Sequence, residues 1–165
     1  MTNYSPSQKL LFIHIPKTAG VSIRDALERN IHDMFAFHNT LEEYSGSWDW
    51  TFGVHHTYNM LIENTQEHNI PINWNEYYKF SCVRNPYARL VSLYKHRHRK
   101  RNAKTLGKPR LTEEDKRILD KGFKYWLLNT QHIGDKVLTK KPQSDWIMYG
   151  DRIICNTVLH VENLD

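Results

Sequence analysis

Apolar residues come in short blocks separated by polar stretches, and the spacing inside each block predicts its element. Leu10, Leu11, Phe12, Ile13 and Ile15 form a run of strand length, broken only by His14. Pro16 ends it, because proline cannot donate to a ladder. After Lys17-Thr18-Ala19-Gly20, Val21, Ile23, Ala26 and Leu27 recur at helical spacing and predict a helix to about Asn30. Met34 to Phe37 predicts a short strand, His38 to Trp50 a surface loop, and Thr51 to Val54 another strand. Met60, Leu61 and Ile62 belong to a helix. Tyr78 to Val83 reads as a buried strand, closed by Arg84-Asn85-Pro86. Pro86 suits a first helical turn, with Leu90, Val91 and Leu93 as its apolar face. Thr112 predicts a helix cap, with Glu113, Glu114 and Asp115 favouring the positive helix end. That helix should run to about Leu128, burying Ile118, Leu119, Phe123, Trp126 and Leu127. Arg152 to Cys155 and Val158 to Val161 are strand-like. Strands alternating with helices define an α/β protein with a mainly parallel sheet. Residues 1 to 8 read as a polar flexible leader, and residues 9 to 165 as a single domain.

The stretch KLLFIHIPKTAGVSIRDALER, from Lys9 to Arg29, places a lysine and a glycine between a strand and a helix. The first amides of a helix have no internal partner and point at whatever sits in the loop before it. Lys17 adds a full positive charge, and Thr18 and Ser22 add hydroxyls. The expected ligand is a phosphate or sulfate group. The loop is not a Walker A motif, which needs a glycine six residues before the lysine, where Leu11 stands, and here the lysine precedes the glycine. The plain alternative is an ordinary strand-helix turn with an exposed lysine.

Composition narrows the class. Apolar residues make up 39% and charged residues 25% of 165 positions, as in a folded globular protein. No run approaches the roughly 18 apolar residues of a membrane span, and no signal peptide is evident. A cytoplasmic protein is the simplest expectation. Cys82 and Cys155 make neither a disulfide framework nor a metal site, and read as buried free thiols. Ten histidines contain no HExxH pattern, so no metal is expected. The net charge of +5 is local: residues 95 to 110 hold eight Lys or Arg and no acid, leaving 15 basic against 18 acidic residues elsewhere. That run is a solvated helix end, or a surface for an anionic glycan. Nucleic acid is disfavoured, because aromatic interleaving and a recognition motif are absent.

Two blocks carry a family resemblance. HIPKTAGVSI, from His14 to Ile23, resembles the phosphosulfate-binding loop of the sulfotransferases, in particular the carbohydrate branch and its bacterial relatives. YYKFSCVRNPYARLVSLY, from Tyr77 to Tyr94, resembles that family's motif for the 3′-phosphate of the donor. PQSDWIMYG and HVENL, at Pro142 to Gly150 and His160 to Leu164, resemble a bacterial family pattern, with Glu162 as a structural or acceptor-side residue. The resemblance implies a three-layer α/β/α fold of the P-loop NTPase-like sulfotransferase type. The chain stops just after ENL, where relatives usually continue, so three expectations stand open: a C-terminally truncated domain, a short natural member, or a wall supplied by a partner.

The resemblance also implies roles. The donor would be 3′-phosphoadenosine 5′-phosphosulfate, without a metal. Lys17 would neutralise the leaving phosphate, and Thr18, Ala19, Gly20, Val21 and Ser22 would supply amides and hydroxyls. Arg84 and Ser92 match the residues that bind the 3′-phosphate in RNPxxRxxSxY. Arg89 is assigned to structure, and Asn85 and Pro86 to the turn. His55 is the expected general base, in register with the family's H-x-[ST] pattern, with His56 as alternate. Imidazole titrates near neutral pH, as such a base should. His14 is expected to be structural. The acceptor would be a hydroxyl, on a saccharide by family analogy and anionic if the basic run serves it. A second class stays open: a non-catalytic module that binds nucleotide or sulfate and has kept the loop. A P-loop kinase is weaker, lacking both the Walker pattern and an evident Mg²⁺-binding acid.

Overall fold

The computed structural model describes residues 1–45, 55–100, 111–130 and 140–164. The strand expected at Thr51 to Val54, and the basic run from residue 101 onward, lie outside these. The chain forms two compact units, Met1–Arg84 with Pro142–Asp165, and Asn85–Lys141.

The first unit is built on a five-stranded sheet. Its strands are β1 (Asn3–Ser5), β2 (Leu10–Ile13), β3 (Phe35–Ala36), β4 (Tyr78–Val83) and β7 (Thr157–His160), in the order β3-β1-β2-β4-β7. Strands β2, β4 and β7 run parallel, with Ile13 opposite Ser81 and Val83 opposite His160. β1 pairs antiparallel with both β2 and β3. The sheet is therefore mixed: the parallel block β2-β4-β7 is joined by the antiparallel β1. β5 (Met148–Tyr149) and β6 (Arg152–Ile153) form a separate antiparallel pair.

Strand β1 corrects the expected flexible leader. Thr2, Asn3, Tyr4 and Ser5 are all buried. A four-residue turn, closed by Lys9 N–H to the Pro6 carbonyl at 3.3 Å, folds them back along β2. The composition looked like a leader because three of these residues are polar. Two of their hydroxyls find partners that make burial affordable: Ser5 donates to Asp33 at 2.5 Å, and Thr2 donates to the His56 carbonyl at 3.3 Å. Tyr4 joins an aromatic cluster, edge-on to Trp74 at 5.4 Å and near Phe35 and Tyr77.

Helices α1 (Gly20–Asn30), α2 (Phe37–Ser45) and α3 (Tyr58–Glu67) follow β2 and β3. α2 replaces the expected loop: Phe37 and Leu41, one helical turn apart, are both buried. In α1, Val21 is exposed rather than part of the apolar face, which is carried by the half-buried Ile23 and Leu27. The Thr57 hydroxyl caps α3 by accepting the Met60 N–H. A short helix α7 (Ser144–Ile147) buries Trp146 and Ile147.

The second unit holds α4 (Pro86–Lys100), α5 (Glu113–Asp120) and α6 (Phe123–Asn129). The Asn85 side chain accepts the Tyr87 and Ala88 amides and starts α4. Leu93, Ile118, Leu119 and Trp126 form its core, with Tyr94, Leu111, Phe123 and Leu127 against them. Val91, expected inside, is exposed. Thr112 and Asp115 form the capping box at the head of α5. The single helix expected to Leu128 is broken in two at Gly122, whose φ of 94° a helix cannot accommodate. No described helix is long and apolar enough to cross a membrane.

Candidate functional site

The loop between β2 and α1 is shaped by backbone conformation. Lys17 and Ala19 adopt left-handed φ values of 69° and 60°, uncommon for residues with a Cβ. Alternating handedness of this kind turns successive amides toward one concavity, a form that suits anions. Ala19 is the N-cap of α1 and has no side-chain oxygen to offer its first turn. The first intrahelical bond there runs from Ile23 N–H to the Ala19 carbonyl at 3.1 Å. The amides of Gly20, Val21 and Ser22 precede it and lack an intrahelical acceptor. No acid lies in that first turn, so the positive helix end is not offset.

Two side chains brace the loop from beneath. Thr18 is fully buried, and its hydroxyl donates to the Ile15 carbonyl at 2.8 Å. Its only donor proton is thereby engaged within the loop; the exposed Ser22 has no such tie described. His14 is also buried, lying flat on Phe12 and edge-on to His55, with ring centroids 4.5 Å apart. Gly20 sits directly against it. A Cβ built on Gly20 would fall 1.9 Å from Nε2 of His14, so glycine is required by close approach and not by φ.

The histidine pair expected to supply a base lies beside this loop. Nδ1 of His55 is 3.2 Å from the His14 carbonyl oxygen. A carbonyl only accepts, so Nδ1 carries the proton and Nε2 keeps the lone pair. His56 is buried edge-on to Phe37 at 5.2 Å. Burial pushes the pKa of His55 down to about 3 and that of His56 to about 4, and that of His14 further below its usual range. Both candidates are therefore neutral at pH 7, but bind a proton more weakly than the near-neutral titration expected of them.

Sequence reasoning overlooked Thr2, because residues 1 to 8 looked like a leader. Its hydroxyl accepts the His14 N–H at 3.4 Å and donates to the His56 carbonyl, clipping the histidine segment to the end of β2.

Arg84 follows β4 directly. Because β2 and β4 are parallel neighbours, loop 14–19 and Arg84 emerge at the same end of the sheet, where ligands of such sheets bind. The Arg84 main chain is held from both sides by Gln143. Its Oε1 accepts the Arg84 N–H at 2.9 Å, and its Nε2 donates to the Arg84 carbonyl at 2.7 Å. Gln143 was missed, although the block containing it stood out. Ser92 lies on α4 in the second unit and is half-buried. There, Arg89 is buried and donates to the Lys141 carbonyl at 3.5 Å, which fits the structural role expected of it. Cys82 and Cys155 are free thiols; Cys155 is only partly buried. Among the described residues, no cluster of His, Cys, Asp or Glu has the form of a metal site.

In this α/β fold a parallel strand pair thus brings a lysine-bearing loop and an arginine to one end of the sheet. Comparison with known families makes the class specific. Residues 1–164 match the model of the sulfotransferase family. The chain belongs to that family, and transfer of sulfate is its reaction class. Searches of curated proteins and of solved structures returned no match.

Proposed function

We propose that the chain transfers a sulfuryl group from 3′-phosphoadenosine 5′-phosphosulfate to an acceptor hydroxyl, on a carbohydrate. The observation that carries this reading is the parallel pairing of β2 with β4, which sets the Lys17 loop and Arg84 at one end of the sheet in a chain of the sulfotransferase family. The Gly20, Val21 and Ser22 amides, with Lys17, hold the phosphosulfate. Arg84 takes the 3′-phosphate as a guanidinium fork.

In this reading the acceptor oxygen attacks sulfur in line. Its proton passes to Nε2 of His55, the bond from sulfur to the 5′-phosphate oxygen breaks, and the bisphosphate leaves. Charge developing on that phosphate is met by Lys17 and the helix amides, fixed dipoles that need no reorganisation at the moment of transfer. Anionic phosphates beside His55 raise its proton affinity when the donor binds, countering the effect of burial. His56, packed against Phe37, takes a supporting part. An anionic saccharide is the acceptor that the basic run starting on α4 would favour; charge reversal at Arg97 and Arg99 should then raise its KM at low salt.

One observation favours a second reading, a binding module without turnover. The depressed proton affinity of both histidines suits a site that holds the anion and transfers nothing. Calorimetric titration with 3′-phosphoadenosine 5′-phosphate, beside ATP, tests the donor site common to both. Selective binding lost in Lys17→Ala and Arg84→Ala supports it, and a folded chain that binds neither nucleotide rejects it. Turnover of donor with a saccharide panel then separates enzyme from module.

A further inference from the structure

We propose that Gln143 is the positioning residue for Arg84, and so sets the affinity for the donor's 3′-phosphate; this rests on the donor site proposed above. The ladder of β4 ends at Val83, opposite His160. One residue later, the Arg84 N–H and carbonyl have left the strand, and the Gln143 amide takes both at 2.9 and 2.7 Å. A primary amide has the donor and acceptor of a peptide group in one plane, so a single side chain stands in for a strand residue. Gln143 thereby fixes the main chain from which the Arg84 side chain springs.

The guanidinium gives this constraint a purpose. Nε of Arg84 is buried and has no hydrogen-bond partner among the described residues. A buried unsatisfied donor on a cation calls for an explanation, and a phosphate oxygen is the acceptor that chemistry supplies. A fork that meets an anion through Nε has little angular tolerance, so the backbone behind it must be held. Gln143 lies 59 positions further along the chain, in the block from Pro142 to Gly150 that resembles a family pattern.

The test is a double-mutant cycle read by calorimetry with 3′-phosphoadenosine 5′-phosphate, and in parallel with adenosine 5′-phosphate, which lacks the 3′-phosphate. Gln143→Ala and the equally long but apolar Gln143→Met should each weaken the bisphosphate by about 10-fold or more. Both should leave adenosine 5′-phosphate unchanged. In an Arg84→Ala background neither should have any further effect. Losses that multiply with Arg84→Ala, or that fall equally on both nucleotides, overturn the proposal. So do unchanged affinities, or failure of both variants to fold, which would make Gln143 a structural residue. If the wild-type chain binds the bisphosphate and only the Gln143 arms fail, the donor site stands without this role. If the wild-type chain binds neither nucleotide, the donor site falls and this role falls with it.

Discussion

His55 donates Nδ1–H to the main-chain oxygen of His14 at 3.2 Å, which leaves Nε2 with the lone pair. His14, the residue that follows β2, thus selects the tautomer of the proposed base. Replacing His55 by Ala should lower kcat by about 100- to 10,000-fold, the usual contribution of a positioned base. Donor affinity, measured by calorimetry, should change far less. His56→Ala should show the opposite balance, with stability lost from the Phe37 contact and turnover retained in the folded fraction. Equal loss of turnover in both variants, or none in His55→Ala, would remove His55 from the mechanism.

The same burial predicts sensitivity to acid. His55 and His56 titrate at about 3 and about 4 when folded, below the ordinary histidine value that applies when unfolded. Between those limits the unfolded chain binds more protons, so stability falls as pH falls. Above about 6.5 neither state is protonated at these positions and the effect vanishes. Each histidine contributes a slope of about 1.4 kcal/mol per pH unit within its window. Urea midpoints at pH 7.5, 6.5, 5.5 and 4.5 should be level over the first step and then drop increasingly. A flat series to pH 4.5 would mean that these rings are protonated in the fold.

Gly20 and His14 are coupled by space. The Cβ of alanine at position 20 would overlap the imidazole of His14, whose nearest atom stands 1.9 Å away. The ring is pinned between Phe12 and His55 and has little room to move. Gly20→Ala should therefore destabilise the first unit by at least the roughly 1–3 kcal/mol typical of overpacking, and should weaken binding of the bisphosphate. Trimming the obstacle in Gly20→Ala/His14→Ala should recover part of the affinity. Thermal melts and the same titration measure both. A well-folded, tightly binding Gly20→Ala would show that the loop does not depend on this approach.

What was legible follows the strength of local signals. The strand from Leu10 was readable because a buried parallel strand of this kind is apolar along its length, the strand from Tyr78 because Phe80, Cys82 and Val83 run up to the turn, and the turn at Pro86 because proline fixes its neighbours. The cap at Thr112 was readable because a threonine followed by acids is a local signal for a helix start. Strand β1 was not, because Thr2, Asn3 and Ser5 are polar residues whose burial depends on distant partners such as Asp33 and His56. The same holds for Gln143, whose two bonds to Arg84 span 59 positions. Helix α2 was misread because one aromatic-polar stretch supports a loop and an amphipathic helix equally well. In the loop itself, sequence placed Lys17 and Gly20 correctly in the chain but could not see that Thr18 turns inward or that Gly20 serves His14.

Thr18 separates scaffold from ligand contact within the loop. Its hydroxyl donates to the Ile15 carbonyl at 2.8 Å and is fully buried, so it acts on the loop from below. Thr18→Val keeps the shape and removes the donor, leaving a buried carbonyl without it. The expected cost is about 1–3 kcal/mol of stability, the penalty for an unsatisfied buried group. Thr18→Ser keeps the bond and should lose less. The amide of residue 18 survives in both, so folded Thr18→Val should bind the bisphosphate within a few-fold of wild type. Ser22→Ala tests the contrast, since Ser22 is exposed in the first turn of α1. If its hydroxyl meets the donor, affinity should fall while the melting temperature stays put. Affinity lost in Thr18→Val at unchanged stability would instead mean that the Thr18 hydroxyl leaves Ile15 to meet the ligand.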